Sequence, residues 1–357
     1  MRSVPEPTVV SLYSGAGGLD LGFLEAGFEI VWANDSDRSA VETYRENIGE
    51  HAVLGDVLTT PLPDLRPDVL IGGPPCQGFS VIGQMRHDDP RSRHVFHFFD
   101  AVEQLSPVAF VMENVKSLGR NPRWAPLRRE LRARATALGY ATHLLVLNAA
   151  HFGVPQARER MFLLGLRGAI APRAPRPTTS GARTVRQALA TLPPFGAPGN
   201  DTTAGARVVP CVEPVMRPTA HSGSLLFNGS GRPLHLDRPA KTLPASMGGN
   251  ATPIVDQDEI DHGAEPWVVG YHAHLTRGGA PINEAPARLR RITVEEAAAL
   301  QTFPLGYRFS GPRVAQYRQI GNAVPPKLAT AVAQTIMREL TPRDDLTFLA
   351  PGARTSA

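Results

Sequence analysis

Cysteine is nearly absent from this 357-residue chain, which holds only Cys76 and Cys211. Two thiols build neither the disulfide framework of a small secreted domain nor a four-thiolate zinc site, and no metal is expected. No apolar run approaches the ~18 residues of a membrane-spanning helix, which excludes an integral membrane protein of that kind. The opening stretch, Met1-Arg-Ser-Val-Pro-Glu-Pro7, lacks the apolar core of a secretory signal, so the expected compartment is the cytoplasm. Lysine is scarce as well: Lys116, Lys241 and Lys327 stand against 34 arginines. GC-rich codon usage produces such a bias, so the net charge of +4 is compatible with a polyanionic partner without pointing to one. What is plentiful is core material: 42% hydrophobic against 20% charged residues suits a soluble globular protein. At ~150 residues per domain, the length fits one large or two modest domains.

The first 170 residues alternate strand and helix patterns. Thr8–Leu12, Phe28–Ala33, a short run before Gly55, Asp68–Ile71, Val108–Met112, Tyr140–Leu147 and Arg160–Leu166 read as strands. Leu19–Ala26, Arg38–Asn47, His94–Leu105 and Trp124–Leu138 read as helices. Such alternation predicts an α/β fold with a mostly parallel, doubly wound sheet. The texture changes at Ala171. Between Pro172 and Pro239 lie 11 of the 34 prolines, and only Thr184–Leu192 has helical spacing. Some 70 structureless residues would be unusual in a compact protein, so apolar pieces such as Ser224–Phe227 and Trp267–Tyr271 point to a loop-rich second domain. Helical pattern resumes at Thr293–Gln301, opened by a capping box, and at Pro326–Leu340.

Five stretches carry chemistry. Tyr13-Ser-Gly-Ala-Gly-Gly-Leu19 is a glycine-rich turn between the first strand and first helix, where α/β sheets bind nucleotides. Asp35 follows Gly15 by 20 residues, where an acid binds ribose hydroxyls, and Asp56 could meet an adenine amino group. A nicotinamide enzyme, or a purely structural turn, fits this stretch almost as well. Gly72-Gly-Pro-Pro-Cys-Gln-Gly-Phe-Ser80 puts Cys76 on a rigid turn at a strand's carboxyl end. Cysteine is often a small buried hydrophobe, but inert ones rarely sit among Gly, Pro, Gln and Ser. A zinc deaminase would need Pro-Cys-x-x-Cys and meets Phe79 instead. In Met112-Glu-Asn-Val115 an acid closes an apolar strand, which is costly unless the acid is paired or functional. Arg158 and Arg160 alternate along one strand, so they could face a common pocket, although salt bridging would explain either alone. Tyr317-Arg-Gln-Ile-Gly-Asn-Ala-Val-Pro-Pro326 reads as a small-residue turn before a helix.

In this order, the pieces resemble the C5-cytosine-specific DNA methyltransferase family, of the bacterial restriction–modification type. The resemblance covers nearly everything outside about 172–290. It rests on Ser-Gly-Ala-Gly-Gly, Asp35, Gly-Asp-Val, Pro-Pro-Cys-Gln-Gly-Phe-Ser, Glu-Asn-Val, Gln-x-Arg-x-Arg and Gly-Asn-Ala-Val-Pro, with Arg291–Ala297 and Leu300–Pro304. Tyr13, Asp35 and Ser36 stand where Phe, Glu and a bulky residue are commoner in the family.

The resemblance implies a Rossmann-like S-adenosylmethionine-binding domain of residues 1–171 plus 317–342. It also implies a target-recognition domain of 172–316, with DNA between the two and a disordered tail, 343–357. Tyr13, Ala16, Gly18, Asp35, Asp56, Val57, Pro75, Asn322 and Val324 would contact the cofactor. Cys76 would attack cytosine carbon 6, Glu113 would protonate N3, Arg160 would orient the base through O2, and Arg158 would support the loop or a phosphate. The segment from Gln77 to Arg93, including Ser80, would close over a flipped base, with Arg86, Arg91 and Arg93 on phosphates. Gly248, Gly249, Gly278 and Gly279 resemble recognition loops, and Arg232, Arg238, Lys241 and Arg277 would meet groove or backbone. The implied partners are double-stranded DNA and, functionally, a cognate restriction endonuclease, with the chain a monomer. The alternatives are a tRNA-methylating enzyme of the same fold and a catalytically silent DNA-binding relative.

Overall fold

The computed structural model describes residues 6–75, 93–221 and 224–340. Cys76, Gln77, Ser80, Arg86 and Arg91, the side chain of Arg93 and the tail 343–357 lie outside the described residues.

The apolar runs near the N-terminus become the middle of a seven-stranded sheet. Its strands are β1 (Thr8–Leu12), β2 (Glu29–Asp35), β3 (Ala52–Leu54), β4 (Val69–Gly72), β5 (Ala109–Val115), β6 (Tyr140–Asn148) and, after the two-residue β7 (Gln156–Ala157), β8 (Glu159–Arg167). They lie in the order β3-β2-β1-β4-β5-β8-β6. All neighbours are parallel except β8, which runs antiparallel to both β5 and β6. This is the doubly wound α/β sheet that the alternating pattern predicts.

Helices cover both faces, so the central strands bury both sets of side chains and read as continuous apolar runs. Val9, Val69, Ile71, Ala109 and Val111 enter one core under α1 (Gly18–Glu25) and the last helix. Val10, Leu70, Phe110 and Met112, one residue out of step, enter the other. After α2 (Arg38–Asn47), the helices on this second face are α3 (Arg93–Leu105) and, beyond a short α4 (Lys116–Arg120), α5 (Ala125–Ala137). Phe98, Phe99, Phe110 and Tyr140 pack edge to face there, with centroids 5.3 to 6.1 Å apart.

The rest of the chain is loop-rich, as its proline content predicts. It holds α6 (Val185–Leu189), the paired β9 (Pro210–Val215) and β10 (Leu225–Phe227), and β11 (Ala240–Lys241), which pairs with β7. There follow β12 (Ile254–Asp256), α7 (Gln257–His262), α8 (Trp267–Thr276), β13 (Leu289–Arg291) paired with β12, α9 (Val294–Leu300), α10 (Arg313–Asn322) and α11 (Pro326–Leu340). The predicted capping box opens α9: Thr293 Oγ accepts from the Glu296 amide and Glu296 accepts from the Thr293 amide, at 3.0 and 2.9 Å.

Two readings need correction. Tyr317–Asn322, read as part of a turn, is the second half of helix α10, and the turn begins only at Ala323. Small residues there shape a helix end instead of breaking a helix. The expected division between 316 and 317 therefore falls inside one helix. A third core joins Ala16 with Val185, Leu243, Leu300, Phe303, Tyr317 and Ile320, linking the cofactor-type loop directly to the loop-rich part. No helix among the described residues is long and apolar enough to cross a membrane.

Candidate active site

Parallel strands end on the same edge, and there the chain opens into a cavity of about 840 Å³. Tyr13, Ala16, Gly18, Asp35, Asp56, Val57, Pro75, Asn322 and Val324 all line it, together with Glu113 and Arg160. The glycine-rich loop leaves β1 through Tyr13, whose φ of 56° is left-handed, a strained conformation for a residue with a Cβ. The side chain is held in place. Its hydroxyl donates to the His94 carbonyl at 3.1 Å, and its ring meets the His94 ring edge-on at 5.6 Å. A phenylalanine would pack but could not donate. Gly18 begins α1 so close to the turn after α10 that a Cβ there would lie 2.4 Å from the Val324 carbonyl oxygen.

Asp35 closes β2. One carboxylate oxygen accepts from the Gly15 amide and the other from the Asp37 amide, both at 2.8 Å. Burial raises its pKa against those two hydrogen bonds. The acid therefore braces the glycine loop as well as facing the cavity. Under the loop, Asp20 is fully buried and accepts from Tyr44 at 2.9 Å; desolvation pushes its pKa up to about 6.

The second chemical group sits where β4 and β5 end side by side. The parallel register pairs Gly72 with Met112, which brings Gly73 next to Glu113. A Cβ on Gly73 would lie 3.0 Å from Glu113 Oε2, so glycine leaves the carboxyl its space. Arg160 lies diagonally across the β5–β8 pairing and on the same face; its Nε is 3.1 Å from Glu113 Oε1. Burial raises the Glu113 pKa, opposed by Arg160 and then Arg158. Asn114, to which the sequence assigned nothing, donates to the Pro74 carbonyl at 3.0 Å and anchors the turn that leads to Cys76.

Arg158 departs from the idea of a pocket shared with Arg160. It is fully buried and donates to the carbonyls of Leu243, Gly321 and Asn322, leaving no exposed face for a phosphate. Of its two expected roles, only loop support is compatible with that burial. Gln156 does similar work. Its side chain accepts from the Leu243 amide and donates to Gln301, which in turn donates to the Ile320 carbonyl. The signal was present in the sequence as a glutamine alongside the two arginines, but its partner is 145 residues away.

A cavity of this size, with a buried acid, a glycine loop and a paired glutamate, fits a nucleoside-bearing cofactor beside a reacting group. The model of the C-5 cytosine-specific DNA methylase family matches residues 7–211 and 241–338. The chain belongs to that family. It is a DNA (cytosine-5-)-methyltransferase, and membership implies S-adenosylmethionine as methyl donor. The type II methyltransferase M1.HphI of Haemophilus parahaemolyticus is 34% identical over 346 residues, covering 93% of this chain and 87% of that one. M.MthTI of Methanothermobacter thermautotrophicus, also a type II methyltransferase, is 33% identical over 341 residues, covering 93% and 97%. The structure titled S. pombe Dnmt2 methyltransferase shares the fold, with a TM-score of 0.65 and 18% identity over 94% of this chain and 99% of that one. So does the Entamoeba histolytica methyltransferase EhMeth, at 0.68 and 15%, covering 95% and 100%.

In the loop-rich part of the methylase, Arg232, Arg238 and Lys241 line a second cavity of about 510 Å³. Arg232 also donates to the carbonyls of Gly229 and Gly231, and Lys241 to that of His221. Arg277 caps α8 at the surface. The four glycines line neither cavity. Chain geometry accounts for three of them: Gly248 lies against Val314, Gly278 ends α8 with φ of 85°, and Gly279 lies against the His274 ring.

Proposed function

We propose that this enzyme methylates carbon 5 of a cytosine turned out of double-stranded DNA, through a covalent adduct between Cys76 and carbon 6. The observation that carries the reading is Glu113 paired with Arg160 at 3.1 Å, beside the Asn114-anchored turn that precedes Cys76. Carbon 5 of cytosine is a poor nucleophile until carbon 6 carries an added group, and a thiolate is the strongest such nucleophile among ordinary side chains. A free cysteine has a pKa of ~8.5, so Cys76 loses its proton before or during attack. Glu113, whose pKa burial raises against Arg160 and Arg158, gives its proton to N3 and takes up the charge that addition pushes into the ring. Arg160 holds Glu113 in place and would donate to the base oxygen at carbon 2.

S-adenosylmethionine, when bound, supplies an electrophilic methyl group to carbon 5. Asp35 would accept from its ribose hydroxyls and Asp56 from its adenine amino group, and Tyr13, Ala16, Gly18, Val57, Pro75, Asn322 and Val324, which line the same cavity, would enclose it. Solvent then takes the carbon 5 proton, the C–S bond breaks to return Cys76 as thiolate, and N3 gives its proton back to the Glu113 carboxylate. In a duplex carbon 6 lies inside the stack, so the target base must leave it; methyltransferases are a standing example of such flipping. Gln77, Ser80, Arg86, Arg91 and Arg93 would secure the extruded strand. The type II relatives support a role in guarding host DNA from a cognate restriction nuclease.

The test is a trap. Fluorine at carbon 5 cannot leave as a cation, so duplex DNA carrying 5-fluorocytosine at the target should form a denaturation-resistant adduct only with S-adenosylmethionine present. Cys76→Ser should abolish it. An adduct that maps to Cys211, or that persists in Cys76→Ser, overturns the mechanism.

A further inference from the structure

The second cavity shares one wall with the first, since Thr242, Leu243 and Pro244 line both. Most of its remaining wall comes from residues 219–240. The family match stops at residue 211 and resumes at 241, so this wall belongs to the stretch where the chain departs from the family pattern. A stretch outside the shared pattern is free to read a target of its own while the reaction stays the same.

Its chemistry is one-sided. Arg232, Arg238 and Lys241 supply cations, and none of the described residues lining it is acidic. Prolines, alanines and Leu234 supply flat apolar surface. Two imidazoles, His221 and His235, lie together with centroids 5.1 Å apart at 42°. His221 Nδ1 is 3.3 Å from the Pro233 carbonyl oxygen. A carbonyl only accepts, so Nδ1 carries the proton and Nε2 is left as an acceptor while the ring is neutral. Burial favours the neutral ring, as do the neighbouring His235, Arg238 and Lys241, against the hydrogen bond to Pro233.

We infer that this cavity is a nucleotide subsite of the target strand, holding a nucleotide that flanks the methylated cytosine. Its phosphate lies against Lys241 and Arg238, and His221 accepts from the exocyclic amine of its base, which admits adenine, cytosine or guanine and excludes thymine. Phosphate contacts fix register and base-edge contacts choose sequence, so one cavity supplies both. A volume of about 510 Å³ is ample for a nucleotide. The inference rests on the DNA-methylating reading above.

The experiment uses a duplex library randomised around one cytosine, methylated in a single turnover and sequenced after bisulfite conversion. The wild type should show one flanking position that discriminates against T, the base without an exocyclic amine. His221→Ala should lower discrimination there by about 5- to 100-fold and leave preferences elsewhere intact. His235→Ala, which leaves the Pro233 bond in place, should relax the same position to a smaller degree and serves if His221→Ala does not fold. Lys241→Gln should weaken binding to all sequences alike and reduce the salt slope by about 1. Thermal midpoints and calorimetric S-adenosylmethionine affinity identify the folded variants. Unchanged flanking preferences in a folded histidine variant, with an unchanged Lys241→Gln salt slope, overturn the subsite. A wild type that methylates no duplex overturns the functional reading, and the subsite with it.

Discussion

A carboxylic acid can protonate a base only while it still holds its proton, and the surroundings of Glu113 decide that. Burial disfavours the carboxylate, the arginines favour it, and burial prevails, so the pKa stands above the ordinary glutamate value. The proton-bearing form then persists at higher pH than in a free glutamate. Single-turnover methylation should hold below the raised pKa and decline as pH rises through it. The same sign applies to folding: the stabilisation linked to this proton is complete below the unfolded value and is lost as pH rises through the folded one. Glu113→Gln keeps the shape but has no such proton to give. It should slow methyl transfer by about 10²- to 10⁴-fold, and the decline on the alkaline side should disappear with it. A pH–rate profile unchanged in shape would remove Glu113 from the acid role.

Between elements, buried arginine and amide side chains do the joining. Arg158 stands between β7 and β8 and donates to one carbonyl before β12 and to two at the end of α10. Arg158→Met fills similar space but strips three carbonyls of a donor. The acceptors on Leu243 and Gly321 are buried and each costs about 1–3 kcal/mol when orphaned, so denaturant unfolding should register a loss of about 2 kcal/mol or more. Arg158→Lys should recover only part, because a point charge does not reproduce the planar fork. A loss below about 1 kcal/mol would mean that water replaces the guanidinium. The sequence made the arginine visible as part of Gln-x-Arg-x-Arg, but alternation along a strand suggested a pocket-facing pair. The true geometry is different: Arg160 follows the β8 pleat to Glu113, whereas Arg158 lies in the break between β7 and β8 and follows no pleat.

At the scale of the molecule, a formal charge of +4 is small, so affinity for a polyanion depends on where the cations gather. Three of them ring the second cavity without an acidic neighbour in its described lining. Duplex binding that engages six or more phosphates should weaken by about 10³-fold or more between 50 and 200 mM salt. Filter binding or anisotropy across that range checks it. An affinity nearly independent of salt would mean that the cleft meets DNA chiefly through uncharged groups.

The sequence by itself determined most of the elements and the nine residues that meet at one cavity. Strand and helix periodicity is a local property, and residues at parallel strand ends meet on one edge whatever the loops do. Nine residues chosen along the chain therefore line a single cavity. Tertiary structure decided what depends on distant backbone. The Arg158 carbonyls lie 85 to 164 residues away, Gln156 meets Gln301 across 145, and Asn114 reaches Pro74 across 40. Hydrogen-bond partners of this kind leave no periodic trace, because any residue can offer a carbonyl once folding brings it near. The cavity behind Thr242–Pro244 lies where β11 pairs with β7, which brings the proline-rich segment against the edge of the sheet.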